Sequence, residues 1–335
     1  MKIRKVLKYF FLILIGLLLI PACYLFLGFP SKEKDTSWGV TFSQKHSHYL
    51  GLDWKQNYLA LLDDLKARKL RLIAYWDLVE PEKGKYDFGD LDWQINEAAS
   101  RGAKIVIVAG LKTPRWPECH IPSWAVDLTK EEQQRSILDF LRETILRYRG
   151  NRTISAWQIE NEPFFKFGEC PWFDREFLEK EIRLVKSLDQ RPVIISDSGE
   201  MSFWLKPAEM GDIVGTTIYR EVWSEEMNIY LKYPLPPVFY SRKAQIIKKF
   251  FGKEVICVEL QAEPWGPLLL YDLSLPEQLK TMNLEQFKKN ISFAEKTGLK
   301  EFYLWGVEWW YWLKEKQNMP DIWNEAKNLF TPAGE

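Results

Sequence analysis

Between Trp38 and Phe330 the chain alternates short β-rich apolar runs with longer amphipathic ones, eight times over. That alternation constrains the fold more than any other feature. Strands separated by helices pair in parallel, and helices then cover the sheet. The predicted strands are Trp38–Phe42, Leu70–Trp76, Ala103–Ala109, Ile154–Ile159, Pro192–Ser196, Ile213–Tyr219, Val255–Glu259 and Glu301–Trp305. The third is plainest, with Ile105, Val106, Ile107 and Val108 in unbroken sequence, as expected of a parallel strand buried on both faces. Helices are predicted over 54–68, 91–101, 131–148, 173–188, 204–210, 239–251, 284–296 and 322–330. In the first of them Tyr58, Leu61, Leu62 and Leu65 recur at helical spacing. With no shift in composition along the series, the reading is α/β, a single (β/α)8 barrel over residues 38–335. No Gly-x-Gly-x-x-Gly or phosphate loop follows the first strand, which removes the usual nucleotide signature.

The first thirty residues read as a separate unit. Lys2, Arg4, Lys5 and Lys8 precede an uncharged run from Tyr9 to Phe29, long enough to span a bilayer as a helix. The basic flank stays cytoplasmic, which puts the barrel outside the cell membrane. Residues 1–30 are therefore expected to be a transmembrane anchor and 31–37 a linker. A cleaved signal peptide is the competing reading, and Ile20-Pro21-Ala22-Cys23 faintly resembles a lipoprotein cleavage box.

Composition narrows the function. Forty-six basic and 46 acidic residues cancel, and no basic run with interleaved aromatics points to nucleic acid. Aromatics make up 15%, with 16 tryptophans. Tryptophan is hard to bury completely and often lines binding surfaces. Trp76, Trp116 and Trp265 all lie at or after strand ends, as do Trp124, Trp172, Trp223, Trp309 and Trp310. Long segments after strands three, four and six suggest an extended groove. Cys119 and Cys170 fall in the third and fourth loops and could bridge them in an oxidising exterior compartment.

Two apolar strands end in carboxylates: Ile159-Glu160-Asn161-Glu162-Pro163 and Val255-Ile256-Cys257-Val258-Glu259. In a barrel both emerge on the C-terminal face, where catalytic groups gather. Asn161-Glu162-Pro163 after the fourth strand, with a glutamate ending the seventh, resembles clan A of the glycoside hydrolases. Tyr75-Trp76-Asp77-Leu78-Val79-Glu80-Pro81, followed by Gly84-Lys85-Tyr86-Asp87-Phe88, is similar to the second βα loop of families 5 and 42. The resemblance implies a retaining double displacement on an oligo- or polysaccharide, with no cofactor and no metal. Glu162 would be acid and then base, and Glu259 the nucleophile, about 5–5.5 Å apart. Glu259's charge would help keep Glu162 protonated. Asn161 would bond the sugar 2-hydroxyl, Tyr219 would orient Glu259, and Trp305 would floor the reacting subsite. Arg71 resembles the second-strand arginine that supports the nucleophile in family 5.

Each carboxylate has a rival. Glu263, in Gln261-Ala262-Glu263-Pro264-Trp265, competes with Glu259, and Glu160 with Glu162. His46-Ser47-His48 after the first strand is where amidohydrolases place a metal pair. Only His120 remains to complete such a set. The same residues also fit a barrel that binds sugar without turnover, and a transglycosylase working through the same intermediate.

Overall fold

The computed structural model describes residues 35–331 and, ahead of them, residues 9, 10, 17 and 19–30. Among the described residues ten strands form: β1 (Ser37–Thr41), β2 (Lys69–Ile73), β3 (Lys104–Ala109), β4 (Ile154–Ile159), β5 (Val193–Asp197), β6 (Ile213–Ile218), β7 (Glu221–Ser224), β8 (Ile229–Lys232), β9 (Glu254–Gln261) and β10 (Glu301–Trp305). Eight of them close a barrel in the order β1-β2-β3-β4-β5-β6-β9-β10, every neighbour parallel. The seventh and eighth barrel strands are thus β9 and β10. β7 and β8 are an antiparallel hairpin inserted after β6, where the sequence pattern predicts only loop.

The helices start and stop where local chemistry dictates. A capping box between Thr129 and Glu132 opens the helix Lys130–Tyr148. Asp174 caps Arg175–Leu188 by accepting from the Phe177 N–H. Gly252, at φ 70°, ends Pro237–Phe251 in the left-handed conformation that glycine tolerates best.

The strand pleat divides side chains into two cores. Outward residues such as Ile105, Ile107, Trp157 and Leu304 pack under the helices. Inward, Val106, Ala156, Ile194, Val258 and Tyr303 fill the barrel as one apolar layer. Gly215 leaves room for that filling, since a Cβ there would stand 2.9 Å from Ser196 Cβ and 3.1 Å from Val258. Toward the C-terminal mouth the inward positions turn polar: Thr41, Arg71, Gln158 and Ser196 are buried and bonded to one another or to site residues.

β9 departs from strict alternation at one place. Against β6 the pairing jumps from Thr216↔Cys257 to Thr217↔Glu259, and against β10 from Phe302↔Cys257 to Leu304↔Leu260. The extra residue is a bulge. Cys257 and Leu260 both join the outer core, while Val258 belongs to the inner layer. Period-two alternation would turn Glu259 outward with Cys257; the bulge lets Val258 and Glu259 face inward in succession.

The expected transmembrane helix is not supported. Among the described residues no helix is long and apolar enough to cross a membrane. Residues 19–26 are helical, but their apolar side chains are used partly on the barrel. Leu25 packs against the core, Phe26 meets Phe239 with ring centroids 5.3 Å apart, and Arg242 lies 4.8 Å from the Tyr24 ring centroid. The basic flank Lys2, Arg4, Lys5 and Lys8, residues 11–16 and 18 of the apolar run, and residues 31–34 of the linker lie outside the described residues.

Candidate active site

Arg71 organises the mouth of the barrel. It lies mid-strand on β2 between the outward Leu70 and Leu72, so the pleat turns it inward, where it is fully buried. Its fork reaches two other strands, β4 with the residues just beyond it and β9. Nε donates to Gln158 Oε1 at 2.8 Å, Nη1 to Glu259 Oε1 at 3.1 Å, and Nη2 to Asn161 Oδ1 at 2.8 Å. Planar, permanently charged arginine suits this multiple bonding in a way lysine does not.

Glu259 has a second donor: the Tyr219 hydroxyl at 2.9 Å from Oε2. Burial and the charges of Glu259 and Glu162 push the Tyr219 phenol well above its usual range, so it remains a donor. Glu162 sits opposite in character. Its backbone, at φ 44°, lies in the left-handed region, and its N–H donates to Ser196 Oγ at 2.9 Å. Its carboxyl meets the Thr217 hydroxyl only at 3.4 Å. Burial first, and then the Glu259 charge, hold that carboxyl well above the ordinary range. Both carboxyls are buried, but their partners differ: Glu259 is bonded by a cation and a phenol, while Glu162 has one long hydroxyl contact and is repelled by its neighbour.

Further carboxyls crowd in. Glu118 accepts from Asn161 Nδ2 at 3.3 Å and is pushed up to about 7, chiefly by burial, with Glu259 adding to the rise. Glu200, after β5, accepts from the Tyr219 N–H at 2.9 Å and the Tyr240 hydroxyl at 2.8 Å, and stands 3.4 Å from Thr217 Oγ1. Burial raises it too.

The rival carboxyls occupy other places. Glu160 accepts from the Leu111 and Lys112 N–H groups at 2.7 and 2.5 Å. It pairs with Glu181 of the helix Arg175–Leu188, whose carboxyl burial and the Glu160 charge hold well above its usual range. Both Glu160 and Glu162 have positive φ, so the strand alternation that would turn residues two apart to the same side does not hold for them. Glu263 is ion-paired with Arg115 and lies 3.7 Å from His46 Nε2. His46, desolvated and beside Arg115, is held well below its usual range and so stays neutral.

The tryptophans divide. Trp76 is fully buried, donates to Glu80 Oε2 at 2.8 Å and packs on Trp124 and Phe140. It is core rather than cleft, because its place in the short helix Trp76–Val79 turns it under the barrel loops. Trp309 and Trp310 are fully buried as well. Trp116 is 37% exposed. Trp265 is half-buried and meets Tyr219 edge-on at 5.3 Å. Trp305 is 6% exposed, with the Arg115 guanidinium 4.0 Å from its ring centroid.

Sequence reasoning missed Arg115, Glu118, Glu200 and Glu308. Glu308, three residues beyond β10, was open to the strand-end rule. Arg115 and Glu118 lie in Thr113-Pro114-Arg115-Trp116-Pro117-Glu118-Cys119, whose two prolines mark an irregular loop without saying where it reaches. Cys119 and Cys170 are joined by a disulfide.

The structure is a closed parallel barrel with buried carboxylates gathered at the C-terminal ends of its strands. A family model for beta-galactosidases, glycoside hydrolase family 42, matches residues 54–136. The chain is 24% identical over 215 residues to the beta-galactosidase LacZ of Lactobacillus acidophilus, covering 56% of this chain and 32% of that one. It spans about a third of the length of the curated relatives it matches. Among solved structures it is similar to an endo-beta-1,4-xylanase of glycoside hydrolase family 10 from Gloeophyllum trabeum, with TM-score 0.57, 14% identity, and 91% of this chain and 100% of that one covered. It is also similar to GH5_18 from Streptomyces cattleya, solved with GlcNAc, with TM-score 0.56, 14% identity, and 81% and 70% covered. At these identities the structures show the fold. Together with the sequence matches, they place the resemblance in clan A, with families 42 and 5 represented.

Proposed function

We propose that the chain is a retaining β-glycoside hydrolase in which Glu259 is the nucleophile and Glu162 the acid and base. The observation that carries this is the contrast between the two carboxyls: Glu259 bonded by Arg71 and Tyr219, Glu162 raised first by burial and then by its neighbour's charge. A raised carboxyl beside one bonded by a cation and a phenol is what the double displacement needs.

Glu259 attacks the anomeric carbon while Glu162 gives its proton to the departing oxygen. The product is a glycosyl ester on Glu259 and a free leaving group. Esterification removes the Glu259 charge, so Glu162 loses a main source of repulsion and can take a proton from the water that cleaves the ester. Asn161, fixed through its Oδ1 by Arg71, keeps an amide for the sugar 2-hydroxyl once it releases Glu118. Trp265 and Trp116 offer aromatic faces to sugar rings. The substrate class is β-linked glycans; β-galactosides and β-xylosides come first, since the similar proteins are a beta-galactosidase and a xylanase. The Cys119–Cys170 disulfide favours an oxidising, extracytoplasmic compartment.

The test is a panel of 2-deoxy-2-fluoro β-glycosides with galactose, xylose, glucose and mannose glycones, mapped by peptide mass spectrometry. A sugar ester on Glu259, absent from Glu259→Gln, is the expected result. A label on Glu263 would move the nucleophile. No label from any probe, with turnover of aryl glycosides unchanged in both Glu162→Gln and Glu259→Gln, would remove the proposal.

A further inference from the structure

The segment after β5 brings a further carboxyl to Glu162 from the side. Ser196, inward on β5, accepts the Glu162 N–H through its hydroxyl at 2.9 Å. Farther along, Gly199 runs so close to β6 that a Cβ there would stand 1.8 Å from the Thr217 carbonyl oxygen. That approach lets the Gly199 N–H donate to Thr217 Oγ1 at 3.0 Å. Lys243, on the helix Pro237–Phe251, pins the segment: it is buried, and its Nζ donates to the Gly199 carbonyl at 2.6 Å. Glu200 follows, with Oε1 taken by the Tyr219 N–H and the Tyr240 hydroxyl. Its Oε2 is turned to Thr217.

Thr217 therefore stands between two carboxyls. Its hydroxyl is 3.4 Å from Glu162 Oε1 and 3.4 Å from Glu200 Oε2. A hydroxyl has one proton to give, and the Gly199 N–H already occupies an acceptor position on this one. It can serve one carboxylate or the other, never both fully. The two competitors are not equivalent. Glu200 keeps two donors whichever way the hydroxyl turns, whereas the Glu162 carboxyl has this one long contact.

We infer that Glu200 is a positioning residue for the acid and base: it competes with Glu162 for the Thr217 hydroxyl and so decides when Glu162 holds its proton. Its consequence for turnover rests on the glycosidase reading; the competition itself rests on the geometry. In the resting site the hydroxyl turns to Glu200, and Glu162 keeps its proton for the departing oxygen. Once Glu162 has given that proton up, the hydroxyl rotates to the new carboxylate, and Glu200 is left with Tyr219 and Tyr240. Only the O–H bond turns, so no proton enters or leaves the site in the swing. The charges act the same way. After burial, Glu259 and Glu118, the Glu200 charge helps hold the Glu162 carboxyl above its usual range, against Lys112. Glu200 itself is within electrostatic reach of Lys243 and Tyr240 on the helix Pro237–Phe251, Tyr219 and Arg220 after β6, Tyr233 after β8, and Cys257 on β9. Tyr219 and Tyr233 also face Glu162. Lys243 is pushed down to about 7 by burial, but it is present in every variant below.

The experiment compares the full chain with Glu200→Gln, Thr217→Val and Thr217→Ser. Glutamine keeps an oxygen for Tyr219 and Tyr240 and offers Thr217 an amide in place of a charge, which releases the hydroxyl to Glu162. Valine keeps the shape of threonine and removes the hydroxyl, and serine restores it. The Glu162 carboxyl is followed by carbon-13 NMR on protein labelled at the glutamate carboxyl carbons, its signal assigned by its loss in Glu162→Gln. Its titration midpoint should fall by about one pH unit in Glu200→Gln, rise by about half a unit in Thr217→Val, and stay near the native value in Thr217→Ser. The alkaline limb of kcat/KM for para-nitrophenyl β-galactoside or β-xyloside should move in the same directions. Midpoints that do not move, or that move the same way in Glu200→Gln and Thr217→Val, would overturn the inference and leave the hydrolase reading intact. If Glu200→Gln does not fold, the pair at Thr217 decides alone: a rise in valine that serine abolishes supports the competition, and no rise overturns it. The expected midpoint shifts in a protein that turns over no glycoside would keep the competition and remove the hydrolase.

Discussion

Replacing Glu118 by glutamine removes one proton-binding site from the buried carboxyl cluster while keeping the side chain's shape. Glu118 is 5% exposed, and a glutamine Oε1 can still accept from Asn161 Nδ2. In the folded protein its carboxyl rises from 4.5 to about 7, first through burial and then through the Glu259 charge, with Lys112 opposing. The native state therefore holds this proton more tightly than the unfolded chain does. Its contribution to stability is fully present below pH 4.5 and is lost as pH rises through about 7, where the native group must ionise in place. The rise corresponds to about 3 kcal/mol of differential stability. Glutamine does not titrate, so the variant lacks this particular loss. Urea unfolding of both proteins at pH 4 and pH 8.5 measures it directly. Whatever the gap between them at pH 4, it should move in the variant's favour by about 3 kcal/mol at pH 8.5, a midpoint change of about 1 M at a slope of about 3 kcal/mol/M. Other raised carboxyls, such as Glu308 and Glu181, affect both proteins alike and cancel. A gap that does not change with pH would show that Glu118 keeps an ordinary affinity for its proton, and the charge account of the cluster would fail with it.

Four more outcomes are expected. Arg71→Met leaves Glu259 and Asn161 without their shared donor and should lower stability by about 3–5 kcal/mol, seen as a fall in Tm. Trp76→Ala should cost about 3–5 kcal/mol from the core with KM for an aryl β-glycoside unchanged, whereas Trp265→Ala should raise KM with a far smaller fall in Tm; equal KM effects would put Trp76 back in the cleft. The Cys119→Ala, Cys170→Ala pair opens a loop with sequence separation 51 and should cost about 4 kcal/mol by chain entropy, checked by denaturant unfolding. In the proposed mechanism Glu162 acts as a protonated acid, and its carboxyl is raised, so kcat/KM should fall on the alkaline side only above the ordinary carboxylate range. A fall centred near pH 4 would contradict that assignment.

The parts legible in the sequence were those set by local pattern. Each strand of the barrel is a short run of residues that must be buried on both faces, and each helix an amphipathic run with its own caps, so their order could be read without knowing what they touch. Asn161, Glu162 and Glu259 stand out as strand-end residues, and the structure places them with Arg71 and Thr217 at the barrel mouth. Arg71 was named from a resemblance, and the pleat between Leu70 and Leu72 explains why it faces inward.

The tertiary structure decided what depends on partners distant in sequence. The bulge that turns Glu259 inward exists because β9 must keep register with β6 and β10 on either side, and nothing within Val255–Glu259 announces it. Trp76 and Trp116 look alike as strand-following tryptophans, yet one is core and the other exposed, because the packing of neighbouring loops assigns them. The apolar run before the barrel has the composition of a spanning helix, but residues 19–26 meet the helix Pro237–Phe251 instead. Arg115 is the sharpest case. Its ion pairs join it to Glu263 and Glu308, 148 and 193 residues away, because ring closure brings opposite strand ends within reach of a single loop. Local sequence carries periodicity; contacts across a closed ring are set only when the ring closes.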